Sequence, residues 1–337
     1  MPERIDRNLS LELVRVTEAA AMAAARLMGR GDKNAADHAA VEAMRIALSS
    51  MNMDGTVVIG EGEKDEAPML FIGEKIGTGQ PPKVDIAVDP VDGTRLLSLG
   101  LPNAISVVAL AEQGTLYDSP GVFYMNKIVV GPDAKGSIDI DRSVAWNLRS
   151  IAKAKKMDVS EVTVVILDRP RHEHLIREVR EAGGRIKLIT DGDIAGAMMT
   201  ALEDTGVDVL MGIGGAPEAV VSACALKCIG GDMQCRLHPR NEEERQKAIK
   251  MGANLDELFD IDKLAKGSNV FVSLTGITNG ELVEGVKYHE KYVETHSLVM
   301  RSKSGTVREI HARHSIDKLM KYSEIPFLTK EGEGRSE

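Results

Sequence analysis

Aromatic side chains are scarce in this 337-residue chain, at 3%, with a single Trp. Methionine is plentiful instead, at 16 residues, and its flexible thioether fills core gaps that rings would otherwise occupy. Cysteine is equally thin: Cys224, Cys228 and Cys235 complete the set, and no CxxC pair occurs. Three thiols without that spacing argue against a disulfide framework and a zinc site, and they point to a reducing compartment. No apolar run approaches the roughly 18 residues of a membrane span. Residues 1–6 carry no apolar signal core. Basic residues are outnumbered, 42 Lys and Arg against 51 Asp and Glu, for a net charge of −9. That balance disfavours a general nucleic-acid binder, and it suits an anionic substrate only if metal neutralises some carboxylates. HExxH, the GxSxG elbow and the P-loop are all missing, and the eight His show no zinc spacing. The expectation is a soluble cytoplasmic protein with no membrane or nucleic-acid partner.

At 43% apolar and 28% charged, the composition is that of a globular chain, neither disordered, collagenous nor coiled-coil. Its length exceeds what one core usually supports, so two domains are expected. Residues 11–28 read as a helix capped by Ser10 and stopped by Gly29, and a second helix, opened by an Asn34/Asp37 capping pattern, runs to about Ser50. Short apolar runs at 56–59, 84–88, 104–111 and 127–130 read as strands. Helices followed by strands predict an α+β domain with a mainly antiparallel sheet over residues 1–142. From 143 to about 228 helices and strands alternate, which predicts βαβ units and a parallel sheet, an α/β domain over residues 143–328. Within it, residues 241–251 read as a charged helix, and 270–274, 296–301 and 307–312 as further strands. Residues 329–337 read as a polar tail.

Chemistry concentrates where strands end, the place where open α/β sheets bind ligands. Asp85–Thr94 (DIAVDPVDGT) ends an apolar strand in Asp89, turns at Pro90 and returns Asp92 before Gly93 and Thr94. Two carboxylates and a carbonyl suit a hard cation such as Mg²⁺ or Mn²⁺, and a turn of exposed N–H groups suits a phosphate. The same residues also make ordinary turns. Gly60–Glu66 (GEGEKDE), with Glu61 and Asp65, is either a solvated acidic loop or a second metal arm. Asp37 sits near a helix start, where the macrodipole alone favours an acid. Gly212–Glu218 (GIGGAPE) places Gly215 and Glu218 at a helix entrance facing the crevice. It is not a dinucleotide fingerprint, because Pro217 replaces the last Gly, so a dehydrogenase is a distant alternative. Arg169-Pro170-Arg171 is either a charged turn before a helix or a pair of guanidiniums brought together, as bidentate phosphate binding needs. Asp191-Gly192-Asp193 offers acceptors to sugar hydroxyls or caps the next helix.

The run GRGDKNAAD, IGEGEKDEAPML, VDIAVDPVDGTR, RPRH, DGD and GIGGAPE, in this order, resembles the class II, GlpX-type fructose-1,6-bisphosphatases from about Val14 to about Arg308. The resemblance implies a lithium-sensitive, metal-dependent phosphatase fold, a two-domain αβαβα sandwich of the sugar phosphatase and inositol monophosphatase type. It implies metal ligation by Asp37, Glu61, Asp89, Asp92 and Glu218, with two or more Mg²⁺ or Mn²⁺ ions. Many members carry Glu where this chain has Asp92. Implied substrate contacts are Asp92, Gly93, Thr94, Tyr124, Arg169, Pro170, Arg171, Asp191, Gly192, Asp193 and Gly215. Asp37, Asp65 and Thr94 are the implied catalytic groups. The activity implied is hydrolysis of the 1-phosphate of fructose 1,6-bisphosphate, with sedoheptulose 1,7-bisphosphate a related substrate. An inositol-phosphate or phosphonucleotide phosphatase of the same superfamily is the nearest alternative, and a non-catalytic sugar-phosphate or metal sensor a more remote one. A homodimer or homotetramer is implied as well.

Overall fold

The computed structural model describes residues 9–62, 69–118 and 121–322. Its first elements are α1 (Leu9–Ala25), α2 (Lys33–Ser49), β1 (Asp54–Ile59), β2 (Lys75–Ile76), β3 (Lys83–Asp92), α3 (Thr94–Leu99), β4 (Ile105–Glu112) and β5 (Tyr124–Val130). Next come α4 (Val144–Lys155), β6 (Thr163–Leu167), α5 (Glu173–Glu181), β7 (Arg185–Ile189), α6 (Asp193–Met199), β8 (Val209–Gly215), α7 (Ala216–Ile229) and β9 (Asp232–Leu237). The chain continues through α8 (Glu242–Lys250), β10 (Phe259–Asp260), α9 (Ile261–Leu264), β11 (Phe271–Gly276), β12 (Lys287–Tyr288), β13 (Tyr292–Arg301), β14 (Thr306–Ser315) and α10 (Ile316–Tyr322).

Alternation along the strands sorts the chain into layers. In β4, Val108 and Leu110 face α1 and α2, where Leu13, Ala20, Ala40 and Met44 complete one core. The intervening Ile105, Val107, Ala109 and Ala111 face the other way, onto α6 and α7. The second sheet repeats the logic. Met125, Val165 and Leu210 join that central core, whereas Ile128, Val164, Ile166, Val209 and Met211 pack with Leu148 and Ile151 of α4 and Val179 of α5. The order is helices, sheet, helices, sheet, helices, so the αβαβα layering is what the chain adopts. Helix α7 lies in the middle, buried nearly all round, and Ala, Val, Ser and Cys dominate it. Small side chains let both sheets approach it closely, which is why so few aromatics suffice.

The first sheet runs β12-β13-β11-β4-β3-β1-β2, with β14 paired to β13. Every pairing in it is antiparallel except β1 with β3, so its mainly antiparallel character is observed. The second runs β10-β9-β5-β8-β6-β7. The strands expected to alternate with helices do form a parallel group, β6 with β7 and β8; β5, antiparallel to β8 and β9, and β9, antiparallel to β10, join it and make the sheet mixed. Sheet membership also departs from a boundary at residue 142. The strand β5 joins the second sheet, and β11, β13 and β14 return to the first through antiparallel pairing with β4. Hydrogen-bonding partners far along the chain decide this, and local rhythm does not reveal them.

Local endings differ too. Asp32, not Asn34, caps α2, its carboxylate accepting the Ala35 N–H at 3.0 Å. Strand β3 continues through Pro90 to Asp92, with a register shift between Asp89 and Asp92. Pairing with β1 stops at Ala87, so Pro90 deprives no ladder of a donor there. Among the described residues, no helix is long and apolar enough to cross a membrane.

Candidate active site

A cavity of about 440 Å³ opens where the two sheets meet around α7. Fourteen of the residues singled out from the sequence line it. They come from seven places: Asp37 on α2, Glu61 after β1, Asp89 to Thr94 at the end of β3, Tyr124 at the start of β5, Arg169 and Arg171 after β6, Asp191–Asp193 at the start of α6, and Gly215 with Glu218 at the start of α7. Pro170 is not among the lining residues; it opens the short turn Pro170–His172 that presents the two arginines. Asp65 lies outside the described residues.

Each carboxylate is placed by its own local device. Asp89 Oδ1 accepts the Val91 N–H at 3.1 Å, folding the strand end over itself. Asp92 Oδ2 accepts the Ala195 N–H at 3.0 Å, which ties the first sheet to the start of α6. Gly93 adopts φ +94°, a left-handed turn in which a side chain would be strained, and from it α3 begins. Thr94 Oγ1 donates to Val91 O at 3.1 Å. Glu218 reaches back over Gly215, where an added Cβ would fall on its carboxylate.

Electrostatics shows the convergence. Burial raises the Asp89 carboxyl well above its usual range, and Asp92, Glu218, Glu61 and Asp37 raise it further. Burial, then Asp37 and later Glu218, push Glu61 up to about 8. Burial and Asp193 push Glu218 up to about 7, against the pull of Lys127. Asp92 is raised by burial and then by Asp193, and Asp37 by burial despite a hydrogen bond with Glu61. Acids that raise one another in this way are unfavourable alone and favourable around cations. Among the described residues, Glu218 Oε2 is buried with no hydrogen-bond partner. An orphaned oxygen in an all-oxygen donor set fits a hard divalent ion.

Part of the cavity wall is cationic. Arg171 donates through Nε and Nη2 to Ile213 O, at 3.2 and 2.8 Å, and its guanidinium lies 4.8 Å from the centre of the Tyr124 ring. Arg169 Nη2 approaches Asp191 Oδ1 at 3.7 Å. His172 braces this wall: Nδ1 bonds Leu167 O at 2.7 Å, and Nε2 accepts the Ile213 N–H at 2.7 Å. Burial lowers its pKa, so the ring is a neutral strut between β6 and β8.

Sequence reasoning missed two features. Lys127 emerges as a buried cation, 2.7 Å from Asp193; a lysine at the edge of an apolar strand was its only signal. His296, Glu309 and His311 also meet, with ligand atoms all within 4.8 Å of one another. However, His296 Nδ1 accepts the Glu284 N–H at 2.9 Å, so in the neutral ring Nε2 carries the proton and makes a donor, not a metal ligand.

A layered αβαβα fold with a carboxylate cage and two guanidiniums lining one cavity defines the class: a phosphatase of the metal-dependent sugar phosphatase type. Comparison narrows it. Residues 7–314 match the family described as bacterial fructose-1,6-bisphosphatase, glpX-encoded. The fructose-1,6-bisphosphatase 1 class 2 of Escherichia coli K12 is 47% identical over 325 residues, covering 93% of this chain and 96% of the relative. The class 2 enzymes of E. coli O6:H1 and Shigella flexneri show the same identity and coverage. The chain belongs to the glpX-encoded bacterial fructose-1,6-bisphosphatases.

Proposed function

We propose that this cavity hydrolyses the 1-phosphate of fructose 1,6-bisphosphate, releasing fructose 6-phosphate and inorganic phosphate, a step of gluconeogenesis. The observation that carries the reading is the meeting of five acids, from α2, the ends of β1 and β3 and the start of α7, in one cavity with Arg169 and Arg171. Asp37, Glu61, Asp89, Asp92 and Glu218 would hold Mg²⁺ or Mn²⁺. Such ions supply charge neutralisation at the phosphoryl oxygens and a lowered pKa for the attacking water. The backbone N–H groups of Gly93 and Thr94 bind the 1-phosphate. With its proton engaged by Val91 O, Thr94 Oγ1 offers a lone pair that orients a water for in-line attack. Arg169 and Arg171 bind the 6-phosphate, which fixes the sugar's register. Asp191 and Asp193 accept sugar hydroxyls, and the Tyr124 ring against Arg171 closes one side. Asp65 is kept as a candidate for proton transfer.

Three free cysteines, all buried, suit a reducing cytoplasm. A homodimer or homotetramer rests on the family resemblance. The test is phosphate release from fructose 1,6-bisphosphate, sedoheptulose 1,7-bisphosphate, inositol 1-phosphate and a 3′-phosphonucleotide, with and without Mg²⁺ or Mn²⁺. Cation-dependent turnover highest on the fructose ester is expected. Turnover that survives chelation, or that prefers a monophosphate, overturns the reading.

A further inference from the structure

One buried cation beneath the cavity floor takes no part in the reaction described above. Lys127 lies in β5, opposite Gly212 of β8 and Cys235 of β9 near the middle of the second sheet. Its side chain is 2% exposed, and Nζ sits 2.7 Å from Asp193 Oδ2. Asp193 opens α6, where Asp92 holds the Ala195 N–H. Glu218 also lies within reach of the lysine's field. The pair is crowded against Gly214: a Cβ there would strike Asp193 Oδ2 and come within 3.0 Å of Nζ. Desolvating an ammonium and a carboxylate is unfavourable, and replacing a buried ion pair by apolar residues of similar volume is often neutral or stabilising. The arrangement therefore needs a reason beyond stability.

We infer that Lys127 is a positioning residue with two effects: it fixes the Asp193 carboxylate for the substrate's hydroxyls, and it moderates the negative potential of the acidic cage. This rests on the cage and substrate reading above. The two effects have opposite signs, which makes them separable. Losing the ammonium loosens Asp193 and weakens sugar binding. It also leaves the cage more negative, so divalent cations bind more tightly.

The experiment compares wild type with Lys127→Met, which keeps the stem and removes the charge. Mn²⁺ binding is read by the loss of the free-ion paramagnetic resonance signal, without any turnover. Steady-state kinetics on fructose 1,6-bisphosphate follow at saturating Mn²⁺. Expected are Mn²⁺ affinity about fivefold tighter and KM about tenfold higher, with kcat changed less than about threefold. The double variant Lys127→Met/Asp193→Asn removes both buried charges, and it serves if the single variant does not fold. It should return Mn²⁺ affinity to within about twofold of wild type while KM stays raised. An unchanged or weaker Mn²⁺ affinity in a folded Lys127→Met protein overturns the inference, as does an unchanged KM in either variant. Failure of wild type to bind Mn²⁺ at all would instead refute the cage itself.

Discussion

Replacing Glu61 by Gln should stabilise the cation-free protein at alkaline pH while abolishing its activity. In the fold the Glu61 carboxyl is pushed up to about 8, against an ordinary value of 4.5, by burial and by Asp37. The folded state therefore keeps its proton over a range in which the unfolded chain has released it. Stability is then lost as pH rises from about 4.5 towards 8, and ionisation works against the fold. The gap corresponds to about 4 kcal/mol at pH near 8. Solvent screening of a partly exposed side chain brings that to roughly 2–4 kcal/mol. Gln has the same shape and nothing to ionise. In EDTA near pH 8, its melting temperature should exceed that of wild type by roughly 3–10 °C. At pH near 5, where Glu61 is protonated in the fold, the two should agree within about 1 kcal/mol. Adding Mn²⁺ should raise wild type more than Glu61→Gln, because the variant has lost an anionic ligand. Calorimetry at the two pH values, with and without cation, measures all of this. A variant no more stable than wild type near pH 8 in EDTA would refute the reasoning, since the acids would then not be strained by one another.

Asp89→Asn should lower kcat/KM by about a thousandfold, because every other acid of the cage acts on this position and the amide cannot match the carboxylate's charge. Circular dichroism should show the fold intact; turnover within tenfold of wild type would remove Asp89 from the cation site. Arg169→Ala should raise KM for fructose 1,6-bisphosphate by about tenfold and change kcat much less, since the 6-phosphate is bound equally in ground and transition states. An unchanged KM would mean that the guanidinium serves only its contact with Asp191.

Much of the candidate site could be read from the sequence because most of its parts sit where a strand ends, and strand ends announce themselves; Asp37 on α2 and Tyr124 at the start of β5 do not. Ile86-Ala87-Val88 followed by Asp89-Pro90, or Leu210-Met211 followed by Gly212, change from apolar to turn chemistry within a residue. Long helices such as α1, α2 and α4 were equally visible through their spacing. The sheet partners were not. Val272 and Leu274 look like any apolar strand, and nothing nearby says that they pair with Ala109 and Val107, more than 160 residues earlier. The short helix α3 escaped because Gly93 starts it in a left-handed turn, a signal that reads equally well as a loop. Lys127 escaped because a charged residue beside apolar ones reads as a strand terminus, whereas the strand continues back to Tyr124 and the ammonium is covered on all sides.

The passage of the chain between its layers bears on how such a protein can be altered by recombination. The backbone crosses to the second sheet between β4 and β5 and returns between β10 and β11, so neither sheet is the property of one contiguous stretch. A gene divided after residue 142 would yield one fragment with an orphaned β5 and another whose β11 lacks its β4 template. Exchange of halves between distant relatives would graft mismatched partners into both cores at once. Shorter exchanges, confined to the outer helices α4 and α5, touch one core only and leave the sheets whole.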